Sequence, residues 1–150
     1  MPAPNTFNIR VYGLLFNTNR QVLVTDEYRM GMYMTKFPGG GLDYGEGTLD
    51  CLKREFMEEL GIKIEVEKHF YTTDYFQEAR FFPNMQLLSI YYRVRSNATD
   101  QIRVTTIINA NLPTEGSQSF RWVALNQLNP AEFTFPIDKK VVELLLENPI

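Results

Sequence analysis

The stretch GGLDYGEGTLDCLKREFMEELGI, from Gly40 to Ile62, constrains this chain most, because it places glycines directly before a strongly acidic helix. Helical signals run from Leu49 to Leu60, and Gly61 is the expected left-handed residue at the helix C-terminus. A helix turns by about 100° per residue. The carboxylates of Glu55, Glu58 and Glu59 therefore share one arc of the helix. This arc is about 100° wide and lies beside the apolar stripe.

This acidic arc carries an electrostatic cost. Like charges three or four residues apart on a helix repel, and acids near the helix C-terminus also face the negative end of its dipole. Arg54 can pair with Glu58 at i,i+4, but one arginine cannot neutralise three glutamates. A divalent cation would offset this cost, because Mg²⁺ prefers carboxylate oxygens and arrives with substrate phosphates. The alternative is a solvated, salt-bridged helix.

Three glycines follow Phe37 and Pro38, and Glu46 lies shortly before the expected helix start near Thr48. Glycine permits close backbone approach, so that carbonyls and amides in such a loop can point at a ligand. A strand, a glycine loop and an acidic helix in series predict a site built from backbone oxygens and carboxylates. An ordinary turn is the alternative reading of the glycines.

The composition excludes several classes of function. With a net charge of −3 and a pI near 5.2, the chain lacks the positive field that non-specific nucleic-acid binding needs. The N-terminus lacks a signal-peptide pattern, and no apolar run reaches the roughly 20 residues of a membrane span. We therefore expect a cytoplasmic protein without a membrane partner. Cys51, the one cysteine, is expected to pack against the glycines rather than to act as a nucleophile.

The apolar patterns predict one α/β domain over residues 1–150, with a mixed sheet and at least two helices. The acidic helix is the first, and Ile137–Glu147 is the second. The predicted strands are Phe7–Phe16, Gln21–Thr25, Met34–Phe37, Ile62–Tyr71, Met85–Arg95 and Ser119–Leu125.

At these residues the sequence resembles the Nudix hydrolase family. The family signature is G-x5-E-x7-R-E-U-x-E-E-x-G-U, where U is a bulky apolar residue. The sequence matches this signature at every defined position, beginning with Gly40 and Glu46 and ending with Gly61 and Ile62. The resemblance implies an α/β/α sandwich with a mixed sheet. It also implies hydrolysis of the diphosphate linkage in a nucleoside diphosphate joined to another moiety.

The resemblance further implies a cofactor, Mg²⁺ or Mn²⁺. By analogy, its ligands would be the carbonyl of Gly39 and the carboxylates of Glu55, Glu58 and Glu59.

The catalytic roles also follow from the resemblance. Arg54 would orient the glutamates by pairing with Glu58 or Glu46, and Glu55 is the expected base that deprotonates the attacking water. Many family members place another acid in a loop near the C-terminal third, where this chain has Glu115. An ordinary loop carboxylate is the alternative for Glu115.

Substrate choice should depend on residues outside the signature. Gly40 and Gly41 are expected to contact substrate, and in the segment Tyr71–Met85 the ring of Phe76 can stack on a base while Arg80 pairs with a phosphate. A hairpin with buried rings, or a dimer contact, is the alternative for that segment. ADP-ribose-like compounds, nucleotide sugars and nucleoside triphosphates all stay open as substrates.

Two other functions stay open beside the hydrolase. One is a catalytically silent nucleotide-binding or regulatory module, although such modules usually lose acids that are all present here. The other is an isomerase of prenyl diphosphates, for which the required Cys and Glu pair is not recognisable. A small nucleotide is the expected partner; the oligomeric state cannot be read, although homodimers are frequent among proteins resembling this one.

Overall fold

The structure is a computed structural model that describes residues 4–106 and 114–148. Four strands precede the first helix and three more precede the second, in the order β1 (Thr6–Leu15), β2 (Gln21–Arg29), β3 (Met32–Lys36), β4 (Gly39–Gly41), α1 (Thr48–Leu60), β5 (Glu65–Thr72), β6 (Met85–Arg95), β7 (Ser117–Ala124) and α2 (Pro136–Glu147). The α/β class predicted from the sequence is confirmed. Within the described ranges, neither helix is long and apolar enough to cross a membrane.

The strands form two sheets rather than one. A mixed sheet has the order β4-β1-β6-β5, in which β1 runs parallel to β6, and an antiparallel sheet has the order β3-β2-β7. Side chains alternate across β1, because successive residues of a strand point to opposite faces. Val11 and Leu15 pack in a cluster with α1, whereas Tyr12 and Leu14 pack in a cluster with α2. The helices therefore cover opposite faces of the sheets.

Two sequence predictions need correction. Gly39–Gly41 forms strand β4, paired antiparallel with β1, where a loop was expected. Gly39 adopts a φ of 149°, and a Cβ there would lie 2.1 Å from the carbonyl oxygen of Val11, so the position requires glycine. Because glycine is depleted in strands, residue propensities do not predict this strand. Strand β5 begins at Glu65 rather than Ile62, because the preceding connection buries Ile62 and Ile64 in the α1 cluster.

Helix α1 packs closely on β1 at Gly13. A Cβ at Gly13 would lie 2.7 Å from Cε1 of Phe56, a fully buried residue of α1. At the end of the helix, Gly61 has a φ of 68° and its N–H donates to the carbonyl of Met57 at 3.0 Å. The absence of a side chain at Gly13 therefore sets how near the acidic helix lies to the sheet.

We expect Gly13→Ala to lower the free energy of unfolding by about 1–3 kcal/mol, because the methyl group overpacks the contact with Phe56. The matched control is Gly41→Ala, whose Cβ would meet its nearest atom, Nη1 of Arg10, at 3.6 Å. Urea denaturation measures both variants. Equal stability of the two would contradict the tight contact between β1 and α1.

Candidate functional site

Arg54 is the centre of the acidic site. Its Nε and Nη2 donate to the two carboxylate oxygens of Glu46 at 3.0 and 2.7 Å. Its Nη1 donates to Glu55 at 3.0 Å and to Glu58 at 3.3 Å, and Nη2 also donates to the carbonyl of Gly41 at 3.1 Å. Both pairings considered from the sequence are present, and Glu55 is added to them. One guanidinium thus ties the loop before α1, strand β4 and the acidic face together.

These contacts keep both partners charged. The hydrogen bonds from Arg54, followed by one from the backbone of Asp43, lower the pKa of Glu46 to about 2. In return, the hydrogen bond to Glu46 and then that to Glu55 raise the pKa of Arg54. The pair is therefore ionised throughout the physiological range.

The three glutamates of α1 have different environments. The Glu58 side chain is 59% exposed, whereas that of Glu55 is 14% exposed. Oε2 of Glu59 is buried and has no hydrogen-bond partner among the described residues. Burial, and then the nearby charge of Glu55, raise the pKa of Glu59 to about 7. Lys36 and a hydrogen bond with Gln118 oppose this rise, so Glu59 is the one acid of the arc that lies near Lys36 and Gln118 rather than Arg54.

Strand β4 presents backbone oxygens to this face. In the pairing with β1, the N–H of Gly13 donates to Pro38 and that of Leu42 donates to Ile9, so the carbonyls of Gly39 and Gly41 point away from β1. A Cβ at Gly40 would lie 2.5 Å from the carboxylate of Glu55. The glycine strand thus lets Glu55 lie directly against the backbone.

The candidate ligand atoms on this face fit a hard divalent cation. They are all oxygens, one of them is a buried carboxylate oxygen without a partner, and Mg²⁺ and Mn²⁺ favour such ligands. Among the residues that the structure describes, no three acidic, histidine or cysteine side chains converge as a ready-made metal cage. The structure therefore does not bring Glu55, Glu58 and Glu59 together as one set of ligands.

Cys51 is a packing residue. Its thiol is buried and donates to the carbonyl of Gly41 at 3.5 Å. Burial, and then the hydrogen bond with Glu46, raise its pKa to about 12. Since the thiolate is the nucleophilic form of cysteine, Cys51 is inert at neutral pH.

A cavity of about 470 Å³ lies beside the acidic site. Strand β1 contributes Asn8, Arg10 and Tyr12, which alternate along one face, and the antiparallel sheet contributes Glu27 and Lys36. Nζ of Lys36 and Oε2 of Glu27 are 3.1 Å apart, and both side chains are almost completely buried. Nη1 of Arg10, a lining residue, is 3.6 Å from where a Cβ on Gly41 would lie, so the cavity adjoins the glycine strand.

The opposite wall of the cavity contains a buried acid, Asp138, in the first turn of α2. Its Oδ1 accepts a hydrogen bond from the hydroxyl of Tyr91 at 2.5 Å. Burial raises the pKa of Asp138 to about 7, although Tyr91, Lys36 and Arg10 each favour the ionised form. A carboxyl group with a pKa near neutrality thus lines the same cavity as Arg10 and Lys36.

The residues predicted outside the signature are scattered. Arg80 lines the cavity and lies over the ring of Phe81 at 5.9 Å, whereas Phe76 is 68% exposed and is not part of the cavity wall. A carboxylate oxygen of Glu115 accepts from the backbone N–H of Met30, in the turn between β2 and β3. The catalytic role of Glu115 stays a prediction.

Sequence reasoning missed Arg10, Lys36 and Asp138. The alternation of Asn8, Arg10 and Tyr12 in an otherwise apolar strand was a usable signal, since it predicts one polar face. Asp138 gave no such signal, because an acid in the first turn of a helix is commonplace.

The fold and site belong to a known class. The NUDIX domain model matches residues 6–145, and the chain is therefore a member of the Nudix family. A MutT protein from Methanosarcina mazei Go1 has the same fold, with a TM-score of 0.68 at 19% identity, over 99% of this chain and 100% of that one.

Two characterised relatives share more of the sequence. The mouse protein called nucleoside diphosphate-linked moiety X motif 6 is 31% identical over 147 residues, which are 97% of this chain and 44% of the relative. An RNA pyrophosphohydrolase from Blochmanniella pennsylvanica (strain BPEN) is 32% identical over 71 residues, 47% of this chain and 44% of the relative. Each match thus spans less than half the length of the relative.

We expect Asp138→Asn to remove a pH dependence of stability. A folded-state pKa of about 7, above the ordinary 3.8, means that the folded protein binds more protons than the unfolded chain between these values. Wild-type stability should therefore fall as the pH rises through this window. The variant should gain on the order of 2–4 kcal/mol relative to wild type between about pH 4 and pH 8.

Urea denaturation at both pH values measures this gain. Glu143→Gln, a change at an exposed acid of the same helix, is the control and should show no such gain. A constant difference between Asp138→Asn and wild type at both pH values would contradict the buried acid's titration.

Proposed function

We propose that this chain is a pyrophosphohydrolase that cleaves the diphosphate linkage of a nucleoside diphosphate joined to another moiety, with Mg²⁺ or Mn²⁺ as cofactor. The observation that carries the proposal is the buried, unpartnered carboxylate oxygen of Glu59 beside Glu55, next to a cavity of about 470 Å³. The names of the two relatives support the same class of reaction.

The cation would be held by the carbonyl of Gly39 and the carboxylates of Glu55, Glu58 and Glu59. When bound, it supplies Lewis-acid stabilisation of phosphoryl oxygens and lowers the pKa of a coordinated water. The chain's own contribution is to position oxygen ligands from one rigid helix and one edge strand. Arg54 holds Glu55 and Glu58 in place from the solvent side.

Each remaining residue has a proposed task. Glu55 accepts the proton of the attacking water, and its contact with Arg54 fixes the direction of its carboxylate. The nucleoside occupies the cavity, so that its diphosphate passes Gly40 and Gly41 toward the acidic face. Arg80 reaches the substrate from the cavity rim. Stacking by Phe76 and catalysis by Glu115 stay predictions.

A panel of substrates tests the proposal. ADP-ribose, UDP-glucose, ATP and a 5′-triphosphorylated RNA are each incubated with the protein, with Mg²⁺ or with EDTA, and nucleotide and phosphate products are measured. We expect Mg²⁺-dependent cleavage of at least one compound. Binding of these compounds without any product would instead favour the silent nucleotide-binding module. Isomerisation of a prenyl diphosphate, incubated separately with the protein, would favour the third candidate.

We expect Glu59→Gln to lower kcat by at least about 100-fold on the substrate that the panel identifies, because a neutral amide is a poor ligand for a divalent cation. The same change should leave the metal-free protein at least as stable as wild type, because it removes a carboxylate whose ionised form is disfavoured by burial and by Glu55.

The control is Asp50→Asn, which changes an exposed acid in the first turn of the same helix. Steady-state kinetics and thermal melting in EDTA measure both variants. A metal-free Glu59→Gln protein that melts far below wild type would identify Glu59 as a structural acid, and unchanged kcat would remove it from the metal site.

A further inference from the structure

Four basic residues line the cavity, and three of them are already accounted for. Lys36 is buried and paired with Glu27 at 3.1 Å. Arg29 and Arg80 are exposed at the rim, the latter over the ring of Phe81. Arg10 differs from them: it is partly buried, and no carboxylate of the described residues lies within 4.0 Å of its guanidinium.

Arg10 is nevertheless held in a defined position. Its Nε donates to the hydroxyl of Tyr12 at 2.6 Å, and the Tyr12 ring stacks on Tyr91 with a centroid separation of 5.1 Å. Tyr91 is in turn bonded to Asp138. This chain of contacts uses only Nε and leaves the two terminal nitrogens of the guanidinium available.

The available nitrogens lie between the cavity and the acidic site. Nη1 is 3.6 Å from the point where a Cβ on Gly41 would lie, and Gly41 is also the carbonyl partner of Arg54. The interaction with Tyr12, followed by the charges of Glu55 and Glu27, raises the pKa of Arg10, so it stays protonated despite its burial. The positively charged guanidinium of Arg10 therefore lies where a nucleotide would pass from the cavity to the glutamates.

A partly buried cation without a carboxylate partner destabilises the folded protein when no counter-ion is bound. Such a cost is offset when the ligand itself carries the counter-charge. The planar guanidinium presents two parallel N–H donors, and this geometry matches two oxygens of a phosphate.

We propose that Arg10 binds the phosphate nearest to the nucleoside, through Nη1 and Nη2, while Tyr12 holds Nε. The inference rests on the proposed function, since it assigns one phosphate of the same substrate to a residue outside the signature. It makes Arg10 a substrate-binding residue whose task is to recognise the charge of the nucleotide and not its base.

The test separates the phosphate from the base. Calorimetry in EDTA measures the binding of AMP, GMP, CMP and UMP and of the four matching nucleosides. The monophosphate that binds most tightly, together with its own nucleoside, is then used for the variants. In wild type the monophosphate should bind more tightly than its nucleoside. Arg10→Met should weaken monophosphate binding by roughly 10- to 100-fold and leave nucleoside binding unchanged.

Two further variants sharpen the result. Arg10→Lys keeps the charge but loses the two parallel N–H donors of the guanidinium. It should therefore bind the monophosphate more tightly than Arg10→Met does but less tightly than wild type. Arg95→Met removes an exposed arginine at the end of β6, outside the cavity, and should bind the monophosphate as wild type does. Without ligand, Arg10→Met should melt at or above the wild-type temperature, whereas a purely structural arginine would give a lower value.

Several results would overturn the assignment. They are equal losses for nucleoside and monophosphate, full monophosphate affinity in Arg10→Met, no extra affinity for the phosphate in wild type, or a lower melting temperature together with unchanged phosphate affinity. A wild type that cleaves its substrate while Arg10→Met keeps full phosphate affinity refutes only the role of Arg10. A wild type that cleaves nothing but binds phosphate through Arg10 refutes only the proposed function.

Discussion

The contacts of Arg54 are the constraint on which the rest of the site depends. Three carboxylates on one helical arc repel one another, and the helix dipole at the C-terminal end of α1 offers them no relief. Arg54 binds Glu55 and Glu58 from one side while its bidentate contact with Glu46 anchors the guanidinium to the preceding loop. Glu59 forms no ion pair with Arg54, and burial raises its pKa even though Lys36 favours its ionised form, so a bound metal ion would stabilise its carboxylate.

Strand β1 connects the acidic site to the cavity. Its backbone pairs with β4 and thereby places the glycines beside Glu55. Along the same strand, Val11 and Gly13 face α1, whereas Arg10 and Tyr12 line the cavity. The two-residue period of a strand thus lets one element support the acidic face of α1 and the cavity at once.

The sequence predicted elements well wherever the local pattern was strong. Strand Met85–Arg95 was predicted to the residue, and the apolar stripe of α2 is buried at Ile137, Val141 and Leu145. The prediction was wrong at Gly39–Gly41, because three glycines form a strand only through pairing with β1. The division into two sheets was also not predicted, since strand pairing between distant segments leaves little trace in a single sequence.

The sequence by itself determined the acidic arc, the glycines before it and the αL end of the helix at Gly61. These features follow from the geometry of an α-helix and from residues that are close in the chain. Only the tertiary structure decided that one carboxylate oxygen of Glu59 is buried and that Arg10 and Asp138 face one cavity. Residues 10 and 138 come together because β1 and α2 pack against each other, and packing of distant segments is a property of the whole chain.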